Sequence, residues 1–396
     1  MPLPAQFPVV LRLGTAQTLA WASSYYLPAL LAVPMAASLG LATATVFAGF
    51  SLALVVSALC GPWAGRLIDR WGGRPVLMGT NGLFALGLLA LAACQGPWSM
   101  ALAWVLIGVA MGAGLYDSAF ASLVRLYGTQ SRGAITGITL LAGFASTVGW
   151  PLTAWMLGQA DWRAACVGWA LLHLCLGLPL NAGLPRAAVV QPSRQPPRPA
   201  AAPRATAAAS ARAPMLALAL VFAIAWFVST AMAAHLPRLL QEQGLGLTAA
   251  LAVAALVGPA QVAARAMEFF WLQRQHPLRA AQWATAAHPL GALMLVAWGS
   301  PWAVAFVLLH GAGNGILTIA KGTLPLALFG SQGYGARQGW LMAPSRLAQA
   351  VAPFLFGLFW ERFGASAALA LSSALGLLAL GALLWLQHWL GRTAAR

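Results

Sequence analysis

Gly65-Arg-Leu-Ile-Asp69-Arg70-Trp-Gly72-Gly-Arg74 is a short polar stretch between two long apolar runs, residues 43–65 before it and 75–94 after it. Gly65 permits close approach of a neighbouring helix, and Asp69 can cap a neighbouring helix N-terminus. Arg70 and Arg74 can pair with acids or with helix C-termini. Gly72 and Gly73 let the chain turn sharply. A helix that crosses a bilayer needs about 20 mainly apolar residues. Working outward from this stretch, twelve runs meet that requirement: roughly 10–33, 43–65, 75–94, 98–123, 133–157, 164–183, 214–238, 248–271, 280–299, 302–325, 336–358 and 366–390.

Composition agrees. Of 396 residues, 61% are hydrophobic and 7% charged, whereas a soluble domain carries about 25% charged residues. There is too little polar surface here to cover a water-facing globule, so the lipid bilayer is the expected surrounding. The formal net charge of +16 would suggest nucleic acid in a soluble protein. Here the cations are spread thinly between apolar runs, with no basic stripe or interleaved aromatics, and no nucleic-acid partner is expected. Cys60, Cys94, Cys166 and Cys175 fall inside apolar runs without CxxC spacing, so they read as small packing residues. No His, Asp or Glu pair has metal-ligand spacing and no Gly-rich phosphate loop is present. Neither a cofactor nor a metal is expected, nor an ATP-driven pump or other enzyme. The N-terminus lacks a basic n-region and a cleavage site, and reads as an uncleaved first span.

Residues 184–213 are rich in Pro, Ala and Arg and hold no acid. Such a segment cannot bury a core and reads as a tether between an N-terminal half, 1–183, and a C-terminal half, 214–396. With a cytoplasmic N-terminus, the inner side carries sixteen arginines: 12, 66, 70, 74, 125, 132, five in the tether, 274, 279, 337, 392 and 396. The outer side carries three, Arg163, Arg238 and Arg362, each with an acid close by in sequence. By the positive-inside bias both termini are expected in the cytoplasm. An internal repeat points the same way. Tyr127-Gly-Thr-Gln-Ser-Arg-Gly-Ala-Ile-Thr-Gly137 matches Phe329-Gly-Ser-Gln-Gly-Tyr-Gly-Ala-Arg-Gln-Gly339 at an offset of 202, which also pairs Pro151 with Pro353 and Pro75 with Pro277. Equivalent loops in two six-helix halves explain one shared offset.

The stretch from Gly65 to Arg74 resembles the signature of the major facilitator superfamily, a Gly-x-x-x-Asp-Arg-x-Gly-x-Arg pattern between helices two and three. The resemblance implies an all-α membrane protein with twelve transmembrane helices in two pseudo-repeated halves. It also implies a secondary transporter working by alternating access, and it is silent on substrate. The second half departs from the pattern: Trp271-Leu-Gln-Arg-Gln-His-Pro-Leu-Arg279 has no Asp, so a latch there must be differently built, with Arg265 and Glu268 spaced to pair.

Four ionisable residues lie inside spanning runs: Asp117, Arg265, Lys321 and Arg346. Each costs several kcal/mol in lipid without a partner or cavity, which marks them as functional candidates. The alternative for Asp117, Arg265 and Lys321 is snorkelling or gate pairing; for Arg346 it is an internal hydrogen bond. Val257-Gly-Pro-Ala-Gln261-Val-Ala-Ala-Arg265 resembles helix eight of the monocarboxylate porters and oxalate/formate exchangers, and Arg132-Gly-Ala-Ile-Thr-Gly137 resembles their entry to helix five. Those families hold a substrate carboxylate with an Arg at the helix-eight position, and the exchangers add a cation on helix eleven, where Arg346 stands. Two guanidiniums facing one cavity can bind a small carboxylate bidentately. Gln261 stands where the porters have an Asp used in proton coupling, so that route is not expected. Trp104, and the Gly149-Trp150-Pro151 order, likewise depart from the proton-coupled drug exporters.

Gln17, Trp21, Ser24, Tyr25 and Tyr26 mix aromatic faces with hydrogen-bonding tips, as ligand walls do; Tyr25 and Tyr26 also suit a membrane-interface belt. His310 and Asn314 lie one turn apart among three glycines, and His310 can titrate near neutral pH or serve as a packing residue. The expected substrate site is thus Arg346 and Arg265, shaped by Gln17, Tyr25, Tyr26, Gln261, His310 and Asn314, with Asp117 or His310 as proton carriers. The gating residues are Gly65, Asp69, Arg70, Gly72 and Arg74. The expected activity is secondary transport of a small organic solute, foremost a carboxylate, by a monomer in a bacterial inner membrane. The alternative substrate class is a drug or other toxic amphiphile exported from the cell.

Overall fold

A computed structural model describes residues 3–186, 205–271 and 275–394 of the protein. Among the described residues every regular element is helical. In chain order these are α1 (Leu3–Ala22), α2 (Pro28–Leu39), α3 (Thr43–Trp71), α4 (Gly73–Ala93), α5 (Pro97–Gly114), α6 (Tyr116–Tyr127), α7 (Arg132–Ala142) and α8 (Ala145–Gln159). They continue with α9 (Trp162–Leu172), α10 (Leu178–Ala182), α11 (Ala205–Glu242), α12 (Leu247–Ala255), α13 (Val257–Phe270), α14 (Pro277–Trp298), α15 (Ala303–Phe329) and α16 (Tyr334–Ala394). Contacts divide the chain into two compact units, residues 1–188 with 325–346 and residues 189–324 with 347–396. Most of the expected tether, residues 187–204, lies outside the described residues; α11 begins at Ala205, so 205–213 are helical.

Among the described residues eight helical stretches are long and apolar enough to cross a membrane. Two of them, Pro97–Gln159 and Tyr334–Arg392, run to 63 and 59 residues. At about 1.5 Å per residue against a hydrocarbon core of about 30 Å, each holds more than one crossing. In α16 the turn is Gly364, with φ 83° and ψ 171°, a conformation reserved for glycine. Twelve apolar runs fit this arrangement, with internal breaks that periodicity did not show. The run expected over 10–33 is interrupted between α1 and α2, where Pro28 opens the new helix and the Ser23 and Ser24 hydroxyls donate to the Leu19 and Ala20 carbonyls. Between α9 and α10 the helix widens into a π turn at His173–Gly177, just ahead of Pro179, which has no N–H to give the preceding turn.

The core of the first unit forms where α1, α3, α4, α6 and α7 meet, around Leu13, Ile68, Leu77, Phe120 and Ile135. The second unit packs on small residues: a Cβ at Gly313 would collide with the Ala284 carbonyl and one at Gly315 would press on the Gln261 carbonyl, so α15 lies close on α14 and α13. The repeat survives in backbone geometry. Gly128 and Gly330, 202 residues apart, both have positive φ (56° and 73°), and the helices after them start at Arg132 and Tyr334, at the same offset. At the start of α9, Asp161 caps the helix by accepting from the Ala164 N–H at 2.8 Å. Asp161→Ala is expected to cost about 1 kcal/mol, measured by thermal unfolding of the purified protein.

Candidate functional site

The signature residues sit on a helix. α3 continues through Asp69 and Arg70 to Trp71, and the whole turn into α4 is made at Gly72, with φ 82°. The helix therefore runs six residues past the end of the apolar run at 65, and the next begins at Gly73. It also aims Asp69 at the start of α16, where its carboxylate accepts from the Gly335 N–H at 2.9 Å and the Ala336 N–H at 2.8 Å. Both donors belong to the first turn, which carries the positive end of the helix dipole. The two helices can meet because glycines face one another at their crossing. A Cβ on Gly65 would collide with the Gly335 carbonyl, and one on Gly339 would press on the Gly61 carbonyl. Gly61 and Gly65, then Gly335 and Gly339, are each one turn apart, a small-residue seam on both helices. Arg70 lies over the neighbouring Trp71 ring at 5.7 Å. Among the described residues neither Arg70 nor Arg74 joins an acid, so the latch is made by Asp69.

Farther along the same seam stands a buried ion pair. Arg346 donates from Nη2 to the Asp117 carboxylate at 2.6 Å and from Nη1 to the Ser57 carbonyl at 2.7 Å, and it also reaches the Ser57 hydroxyl. The side chains are 10% and 9% exposed. Asp117 is placed by the break at Leu115, which starts a new helix and puts the carboxylate in the first turn of α6, where the positive end of the helix dipole favours an anion. The structure therefore brings together two of the four intramembrane charges singled out in the sequence, and spends Arg346 on an internal carboxylate.

In the second unit Arg265 donates from Nη2 to Gln261 Oε1 at 3.2 Å and to the Thr318 hydroxyl at 3.5 Å. Lys321 is one turn beyond Thr318 on α15, so it shares a face with it, and its ammonium lies 4.9 Å from the centre of the Trp226 ring. Arg265 and Lys321 are each 5% exposed and Glu268 1%. His310 and Asn314 line a separate cavity of about 40 Å³ with Ser229, Thr285 and His288. There the His288 and His310 Nδ1 atoms are 3.0 Å apart, and His288 Nε2 is 3.0 Å from the Ser372 hydroxyl. Among the described residues no three His, Cys, Asp or Glu side chains gather as metal ligands.

Gln17 is buried and donates to the Gly114 carbonyl at 2.7 Å. Trp21 on α1 packs at 4.9 Å from Tyr116 and 5.2 Å from Tyr25, Tyr25 meets Tyr26 and Phe50 at 5.5 Å each, and Phe50 leads on to Trp104. Tyr25 and Tyr26 thus belong to a continuous aromatic wall inside the first unit. Residues the sequence reading missed are Ser57, Thr318, Ser372 and His288. His288 carried a usable signal, an ionisable residue beside Pro289 within an apolar run; the hydroxyls carried none.

Comparison with known proteins follows this geometry. The model of the Major Facilitator Superfamily matches residues 13–274. The multidrug resistance protein MdtH of Cronobacter sakazakii is 32% identical over 151 residues, 37% of this chain and 37% of its own. The gallate transporter of Pseudomonas putida is 31% identical over 161 residues, 40% of this chain and 35% of its own. Both matches therefore span well under half of those relatives. A protein of Thermoproteus tenax described as an uncharacterised 38 kDa protein in the 23S RNA operon is 29% identical over 93% of this chain and 92% of its own. Among solved structures, the human organic anion transporter MFSD10 (TETRAN) superposes with a TM-score of 0.71 at 20% identity, over 97% of this chain and 100% of that one. With a family model matching well over half its length, the chain belongs to the Major Facilitator Superfamily and is a multi-pass membrane transport protein.

Proposed function

We propose that the protein is a secondary transporter of a small organic anion, foremost a carboxylate, and that Arg265 and Lys321 form the cationic face that receives it. The observation that carries this reading is a charge count. Among the described residues the buried carboxylate, ammonium and guanidinium groups are Asp117, Arg265, Glu268, Lys321 and Arg346. Asp117 and Arg346 offset each other, which leaves two cations against Glu268 on α13 and α15. Buried cations are costly in the membrane interior, and a face on which they outnumber the buried acid suits an anionic substrate. Gln261 and Thr318 hold the guanidinium of Arg265 in place, and Trp226 offers an aromatic face beside Lys321. The Arg346–Asp117 pair then serves as structure and gate, with Asp69 as latch. A bacterial relative named for gallate, an aromatic carboxylate, supports this substrate class.

The test is ligand-induced thermal stabilisation with a panel of mono- and dicarboxylates, aromatic acids, neutral metabolites and lipophilic cations. A ligand at 100 times its dissociation constant adds about 2.7 kcal/mol. Arg265→Gln and Lys321→Gln are each expected to weaken a stabilising carboxylate by about 10- to 100-fold, the worth of one charge-assisted hydrogen bond. Stabilisation by neutral or cationic amphiphiles alone, unchanged in both variants, would overturn the reading. It would favour export of toxic amphiphiles, for which the aromatic wall of Trp21, Tyr25, Tyr26 and Tyr116, and the relatives named for drug resistance, speak. The proposal includes a monomer in a bacterial inner membrane with both termini in the cytoplasm, supported by the arginine distribution.

A further inference from the structure

We propose that His310 Nε2 is a proton-binding site that opens onto the small cavity of the second unit, with His288 as the residue that positions it. Its role in coupling rests on the transporter reading; the binding of the proton does not.

The wiring of the pair can be followed atom by atom. Ser372 has one hydroxyl hydrogen, and its shorter contact, 2.8 Å, is to the Leu369 carbonyl, which only accepts. The Ser372 oxygen is then the acceptor toward His288 Nε2 at 3.0 Å, so His288 carries its hydrogen on Nε2. A neutral imidazole has one donor and one acceptor nitrogen, and His288 Nδ1 is therefore the acceptor. The 3.0 Å contact between the two Nδ1 atoms then takes its hydrogen from His310. His310, in turn, is left with a bare lone pair on Nε2. That nitrogen makes no hydrogen bond among the described residues, and His310 lines the cavity with Ser229, Thr285 and Asn314.

A cavity of about 40 Å³ has room for water, which needs only about 10–15 Å³ and a few polar partners. A proton delivered there binds Nε2 and leaves the Nδ1–H bond to His288 intact, so His310 becomes a donor at both ends. The charge cannot pass beyond His288. The His310 Nδ1 hydrogen can shift across the 3.0 Å contact to His288, but the His288 Nε2–H ends on Ser372, whose hydrogen ends on a backbone carbonyl. The chain is a terminated store for one proton rather than a wire. The cavity is walled by α11, α14, α15 and the limb of α16 after Gly364, and His288 and His310 are its ionisable lining residues. The nearest other ionisable groups along those elements are His235, Arg279, Lys321 and His388. Lys321 is eleven residues from His310, about 16 Å along the helix, and His235 is engaged with the Pro353 carbonyl.

The experiment is nitrogen NMR of the full-length protein with ¹⁵N-labelled histidine, titrated between about pH 8 and 4 through the range of histidine. The chain has six histidines, so resonances are assigned by single replacements, and His310→Gln is confirmed by elimination if it folds poorly. The expected result is one histidine carrying its hydrogen on Nδ1 at high pH and converting to the imidazolium on acidification, with the signal lost in His310→Gln. His288 should keep its Nε2–H form throughout. A His310 that carries its hydrogen on Nε2, or stays neutral across the range in folded protein, would overturn the proposal. Arg265→Gln should leave this titration unchanged, so failure of the anion reading and failure of the proton site are separable.

Discussion

Asp117→Asn will destabilise the protein by about 3–5 kcal/mol, because it strands the Arg346 guanidinium, buried and hydrogen-bonded to Ser57, without its counter-charge. The carboxylate sits 2.6 Å from Nη2, and both side chains are nearly buried. Arg346→Gln is expected to cost a similar amount for the mirror reason: the buried acid loses its guanidinium counter-charge. The double variant removes both charges together, so it should be more stable than the sum of the single losses predicts, by at least about 2 kcal/mol, as coupled neighbours behave. Unfolding in mixed micelles measures all three. Additive losses would show that the pair, despite its geometry, contributes nothing as a pair.

The second large effect is steric. Gly65→Ala places a methyl group against the Gly335 backbone, which has no rotamer to change, so the crossing of α3 and α16 must open. Opening pulls Asp69 away from the Gly335 and Ala336 amides. Hydrogen exchange of a peptide spanning residues 331–340 reads this directly, and protection there should fall by about 100-fold, equivalent to about 2.7 kcal/mol of local stability. Gly79→Ala is the control. A Cβ at Gly79 meets nothing within 4 Å, and exchange at 331–340 should not change. Equal protection in Gly65→Ala would mean that the helices can shift without disturbing the latch.

The sequence made the spans legible, because a bilayer demands about 20 apolar residues in a row and few other folds do. It did not make the breaks legible. The interruption before Pro28 and the turn at Gly364 depend on a single proline or glycine inside a run whose hydropathy hardly changes. The same division holds at the site. Asp69 was readable as a cap, since an acid after a glycine-bearing helix end suits a helix N-terminus, but its partner is 266 residues away and only the fold supplies it. Asp117 and Arg346 each stood out as a charge in an apolar run; that they face one another across 229 residues is a fact of packing. His288 shows the limit from the other side. Its signal was present, yet one histidine in an apolar helix is commonly a packing residue, and only the second ring 3.0 Å away distinguishes it.

Carriage of an organic anion through a site built on Arg265 is open to a functional test in lipid. The most direct measurement is counterflow in proteoliposomes: vesicles preloaded with an unlabelled small carboxylate from the stabilising set, diluted into trace label. Saturable counterflow is expected in the unaltered protein, lost in Arg265→Gln while that variant remains folded and keeps the His310 titration. Counterflow of equal size in Arg265→Gln, or exchange seen only with lipophilic cations, would contradict it.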